Sequence, residues 1–144
     1  MELALGIVGS ATGILGLFLS ILGYLHNRME AIKAYFEYER DGAFIDARRL
    51  VYSLGESGYL PETIDGDEEK AKSVALLTSV YHFAGIMMMH HQLPMWIFRK
   101  TAAGYSVVRT YKILEPFIAL RRKKSPLYAN HFEYLCNKLE KLLK

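Results

Sequence analysis

The stretch from Leu3 to Leu25 carries no charged residue, and no other run in the chain restricts the fold as strongly. At about 1.5 Å of rise per residue it reaches roughly 35 Å as a helix, enough to cross a hydrocarbon core of about 30 Å with some tilt. The reading is one transmembrane helix over residues 3–25, followed by a helical domain over residues 26–144. The small residues in the span are ordered: Gly6, Gly9, Gly13, Gly16, Ser20 and Gly23 alternate at spacings of three and four, which lines them along one face. Helices in lipid associate through close van der Waals contact, so this face is expected to be a homo-oligomer seam, with Gly9 and Gly13 as a G-x-x-x-G pair. A span serving only as an anchor would also carry glycine, which is common in membrane helices.

A cleaved signal peptide fits poorly, because it needs a basic start and a small-residue cleavage site. Here the chain opens Met1-Glu2 and leaves the apolar run through Tyr24-Leu25-His26-Asn27-Arg28. Arg28 and Lys33 follow the run while Glu2 precedes it, so the expected orientation is N-terminus outside and the remainder in the cytoplasm. That remainder suffices for one domain with its own core. A lone Cys136 excludes an internal disulfide and agrees with a reducing compartment. Charge is unevenly laid out: residues 26–69 hold five basic against eleven acidic residues, while residues 99–124 hold eight basic against Glu115 alone. Such a basic concentration suits a polyanionic partner or the anionic membrane face, and equally a solvated surface.

Proline and glycine are absent between Gly23 and Gly42, so the first helix is expected to continue beyond the span, with Leu25, Met29, Ile32 and Phe36 as a packing stripe. Residues 43–54 read as a second helix that buries Phe44, Ala47, Val51 and Leu54, stops at Gly55 and points Arg48 and Arg49 outward. Asp67-Glu68-Glu69 begins a third, centred on the nearly all-apolar residues 71–90. The uncharged run 73–98 also permits a second or re-entrant membrane segment, interrupted by His90-His91-Gln92 and Pro94. Residues 106–120 form a fourth helix with Val107, Tyr111, Leu114 and Ile118 inside, Arg109 and Lys112 outside, and a kink at Pro116. Ser125-Pro126 is expected to cap a last helix bearing Phe132, Leu135, Cys136, Leu139 and Leu143. The class is all-α.

Catalytic and metal signatures are lacking. The histidines His26, His82, His90, His91 and His131 show no H-x-x-x-H spacing, and Asp65-Gly66-Asp67 lacks the later ligands of a calcium loop. Met87-Met88-Met89 reads as core filling, so neither a metal nor a cofactor is inferred. No phosphate-binding glycine loop or nucleophile elbow occurs, and an enzyme is not expected. What stands out is the interleaving of Trp96, Arg99, Lys100, Tyr105, Arg109, Lys112, Arg121 and Arg122. Aromatic and guanidinium planes stack on bases and cations pair with phosphates, so these eight are the candidate ligand-binding residues for a nucleotide or single-stranded oligonucleotide. A snorkelling basic rim beside core aromatics is the competing explanation.

The run from Val80-Tyr81-His82-Phe83 through Glu115-Pro116-Phe117-Ile118-Ala119-Leu120-Arg121 to Tyr128 and Phe132-Glu133-Tyr134-Leu135 resembles a family of small bacterial membrane-anchored proteins whose cytosolic helical domain has no assigned function. The architecture is also similar to the membrane effectors of Hailong-type anti-phage systems. That resemblance implies an ion channel controlled by a nucleic-acid ligand from a partner nucleotidyltransferase, and it transfers no site residue. The expectation is a homo-oligomeric membrane effector that senses a phosphate-rich ligand; the alternative is a membrane-anchored adaptor that binds another protein.

Overall fold

The computed structural model describes the backbone of residues 2–143 and the side chains of residues 15–143. The described elements are all helical, in the order α1 (Glu2–Arg40), α2 (Gly42–Ser57), a 3₁₀ turn (Pro61–Thr63), α3 (Glu68–Met89), α4 (Trp96–Arg99), α5 (Ala103–Arg122) and α6 (Asn130–Leu142). The helical class therefore stands. Gly6, Gly9 and Gly13 of the expected seam lie outside the described side chains. Among the described residues no helix is long and apolar enough to cross a membrane.

As expected, α1 runs without a break to Arg40. Its docking face differs from the expected stripe: Ala31 and Tyr35 are buried and Ile32 and Phe36 pack against the core, whereas Leu25 and Met29 are exposed. Residues 15–27 are all exposed, and this part of α1 meets the bundle through the Tyr24 hydroxyl on His91 O. Asp41 ends α1 and caps α2, its carboxylate accepting from Phe44 N at 3.1 Å.

Helix α2 extends past the expected stop at Gly55 and ends at Gly58, whose φ of +69° is the left-handed conformation that favours glycine. Gly55 has a packing reason instead, because a Cβ there would meet Ile113 Cγ1 at 2.7 Å. Asp67 caps α3 as the acidic start predicts, accepting from Glu69 N and Lys70 N at 3.1 Å. Helix α3 lies at the centre between α2 and α6. Its inner residues Val74, Leu77, Tyr81 and Ala84 are buried in the bundle, and the uncharged run 73–98 is divided between α3 and α4 by the turn at residues 90–95. Tyr81 joins Phe44 at 5.6 Å and Phe132 at 5.1 Å in an aromatic cluster that Tyr111 closes from α5.

Pro116 lies inside an uninterrupted α5. The last helix does not start at Ser125-Pro126: Ser125 N bonds Arg121 O at 3.0 Å and Tyr128 N bonds Ser125 O at 2.9 Å, so that proline occupies a turn. Helix α6 starts at Asn130 and buries Phe132, Leu135, Cys136 and Leu139.

Candidate functional site

The close approach of Gly55 to Ile113 draws α2 against α5, and the Tyr59 hydroxyl donates to Ile113 O at 2.6 Å from the loop that follows α2. These contacts leave a groove of about 740 Å³, walled by Leu54, Val108 and Ile113 and rimmed by Glu56, Tyr105, Arg109 and Lys112. Arg109 stacks on the Tyr52 ring at 4.2 Å and pairs with Glu56 at 3.1 Å. Lys112 pairs with Glu140 at 2.6 Å, a hydrogen bond that raises the ammonium pKa.

A second recess of about 420 Å³ shares Tyr105 and Arg109 with the first and has Glu39, Arg48, Tyr52 and Ser106 in its lining. Arg48 donates to Glu39 at 2.7 Å and to Ser106 Oγ at 3.3 Å. Glu39 also accepts from the Tyr35 hydroxyl at 2.8 Å, and Ser106 Oγ lies 2.8 Å from the Tyr52 hydroxyl and 3.3 Å from that of Tyr81. Burial, with the Glu39 carboxylate nearby, raises Tyr35 well above the usual phenol value; the same two causes push Tyr81 up to about 12. Side chains from four helices thus meet at one polar knot, and through Tyr35 and Glu39 it fastens the end of α1.

Arg48 corrects the expectation that it points away, since its side chain is only 22% exposed while Arg49 stays outside, paired with Asp46. The spacing carried the signal: Arg48 lies four residues after Phe44 and three before Val51, on the face that those two bury. Nothing in the spacing marks Glu39, Tyr35 or Ser106 as its partners, because they come from other helices.

The eight candidate residues do not form one site. Tyr105, Arg109 and Lys112 share the groove. Arg121 and Arg122 lie roughly 18 Å farther along α5, where they pair with Asp65 at 2.6 Å and Glu133 at 2.8 Å. Trp96, Arg99 and Lys100 sit at α4, all exposed. The basic concentration along α5 is therefore matched in space by carboxylates from α2, α6 and the loop before α3. Among the described residues no group of three or more His, Cys, Asp or Glu is placed to hold a metal ion. His82 and His131 do meet, Nε2 to Nδ1 at 3.3 Å, which ties α3 to α6.

Comparison with curated proteins returns no significant match, and neither does comparison with solved structures. The family model for a domain of unknown function, DUF4760, matches residues 8–139. The match takes in most of the apolar run as well as the bundle, and the chain belongs to the DUF4760 family.

Proposed function

We propose that the chain is a homo-oligomeric membrane effector whose α1 crosses the bilayer and whose cytoplasmic bundle senses a nucleotide-like ligand in the groove between α2 and α5. The membrane part is supported by bare apolar surface: Leu15, Leu17, Phe18 and Leu19 of α1 are each 57% to 65% exposed, with nothing in the bundle to cover them. Ser20 donates its hydroxyl to Gly16 O at 2.9 Å, which satisfies it within the helix, and the faces of Gly16 and Gly23 stand open. If those faces form the seam, replacing Gly9, Gly13 and Gly16 by leucine abolishes crosslinked oligomers in detergent; an unchanged oligomer leaves α1 as an anchor only.

One observation carries the sensing role: the ligand-sized groove shares Tyr105 and Arg109 with the recess whose Arg48–Glu39 pair holds α1. Apolar walls and Tyr105 suit a base, and Arg109 with Lys112 suits a phosphate group. Their carboxylate partners are no obstacle. The Arg109–Glu56 pair is 53% and 73% exposed, a class of pair worth about 0–1 kcal/mol, and a multiply charged phosphate competes well with it. A ligand that draws Arg109 off Tyr52 acts on the hydroxyl that touches Ser106, and so on the anchorage of α1. It shifts the assembly only by its difference in affinity between arrangements.

Titration of the purified chain with mononucleotides and short single-stranded oligonucleotides at two salt concentrations tests this. Affinity is expected to fall as salt rises, and Arg109→Gln with Lys112→Gln to weaken binding and flatten that slope. No binding at low salt would leave the anchored adaptor in front, a reading favoured by the pairing of Arg109, Lys112, Arg121 and Arg122 with carboxylates. The channel role, with a nucleotidyltransferase supplying the ligand in anti-phage defence, rests on the architectural resemblance. It predicts depolarisation, read with a voltage-sensitive dye, when the chain is overproduced without its ligand.

A further inference from the structure

We propose that the cleft between α1, the turn joining α3 to α4, and α6 binds the phosphate of an anionic phospholipid headgroup, an inference that rests on α1 crossing the membrane. The cleft has a volume of about 490 Å³ and is lined by Tyr24 and Arg28 of α1, His91 and Trp96, and Tyr134 and Lys138 of α6. Its lining holds two cations and no carboxylate. This is the reverse of the α2–α5 groove, where Arg109 and Lys112 each face an acidic partner. Among the described residues neither Arg28 nor Lys138 makes an ion pair, and the Lys138 ammonium lies over the Tyr134 ring, 5.6 Å from its centroid. Unopposed cations at this position call for an anion.

Position selects which anion. Tyr24 is the penultimate residue of the apolar run, and its hydroxyl donates to His91 O at 3.2 Å, so the cleft opens where the run ends. Tyrosine and tryptophan favour that depth because their rings are apolar and their polar tips are wet. Trp96, half exposed, lines the same cleft, and Arg99 and Lys100 follow it by one helical turn with exposed, unpaired charges among the described residues. With α1 across the membrane, a cleft lined by Tyr24, Trp96, Arg28 and Lys138 beside the end of the apolar run lies at the depth where aromatic rings and basic side chains both meet headgroups.

Trp96 is the sole tryptophan, so its emission reports on this cleft alone. The full chain in neutral detergent micelles is titrated with short-chain phosphatidylglycerol and, separately, with short-chain phosphatidylcholine. Phosphatidylglycerol is expected to shift the emission saturably where phosphatidylcholine does not. Arg28→Gln with Lys138→Gln is expected to weaken that response about thirtyfold, at roughly fivefold for each cation near the phosphate plane, while Arg28→Lys with Lys138→Arg retains it. Equal responses to the two lipids, or an unchanged response in the double glutamine variant, overturn the proposal. So does glycerol phosphate saturating the shift at the lipid's concentration, since the site would then take a free phosphate. Alkaline carbonate extraction tests the span separately. A chain that stays in the membrane yet shows no lipid preference has a span and no headgroup site, whereas an extracted chain that still prefers phosphatidylglycerol keeps the site and loses the span.

Discussion

Replacing Glu39 by glutamine removes one charge from the knot that holds α1 while keeping the side chain's shape. The glutamine oxygen can still accept from Arg48, and its amide can donate to the Tyr35 hydroxyl, so no hydrogen bond need be lost. What is lost is the neutralisation of Arg48. The side chains of Arg48 and Glu39 are 22% and 15% exposed, which puts the pair between two regimes. Breaking a fully buried pair costs about 3–5 kcal/mol and an exposed one about 0.2–1 kcal/mol. Arg48 retains Ser106 and the face of Phe44 at 5.6 Å, so the expected loss is about 2 kcal/mol, or roughly 7 °C in the unfolding midpoint for a domain of this size. Adding Arg48→Met to Glu39→Gln removes the uncompensated cation and is expected to recover at least half of that loss. Circular dichroism in micelles reads the midpoints. Hydrogen exchange over residues 32–40 reads the anchorage itself, which should loosen while α5 and α6 stay protected. A single variant within about 0.5 kcal/mol of the parent, with no coupling in the double variant, would mean that solvent screens the pair and that apolar contacts alone hold α1.

Three further outcomes are expected. Gly85→Ala would place a Cβ 2.0 Å from His131 O, a backbone atom held by the buried Phe132 and Leu135, and should cost about 2–3 kcal/mol even after the helix-propensity gain. Gly55→Ala meets only the movable Ile113 side chain and should cost about 1 kcal/mol or less; equal denaturation midpoints for the two variants would contradict the close α3–α6 approach. The phenols of Tyr35 and Tyr81 are raised by burial, Tyr81 to about 12, so the folded chain holds protons that the unfolded chain releases near pH 10. Stability should therefore fall as pH rises from about 10 toward 12, and Tyr81→Phe should flatten that slope. His82 is lowered by burial and then by the His131 charge, so its contribution is present above the unfolded value of 6.5 and lost on acidification through the lower folded value. Denaturation midpoints measured below pH 6.5 should decline less in His82→Gln than in the parent.

Local signals were readable in the residues alone. Uninterrupted helix from the apolar run to Arg40 follows from the absence of proline and glycine there, and Asp67 caps α3 because a side chain that accepts from nearby amides acts within a few residues. The inner face of α5 follows from helical periodicity in the same way. Helix ends were less readable. Gly55 looked like a stop because glycine often is one, but its missing Cβ serves contact with Ile113, and Ser125-Pro126 looked like a cap but forms a turn. The candidate site depended most on assembly. Arg109, Lys112, Arg121 and Arg122 form a basic run along the chain, yet Glu56, Glu140, Asp65 and Glu133 reach them from elsewhere and neutralise them one by one. Arg28 and Lys138, far apart in sequence, share a cleft without a carboxylate. Periodicity fixes which side of a helix a charge is on, but whether that charge is balanced depends on the helix packed opposite, and only the tertiary arrangement supplies that neighbour.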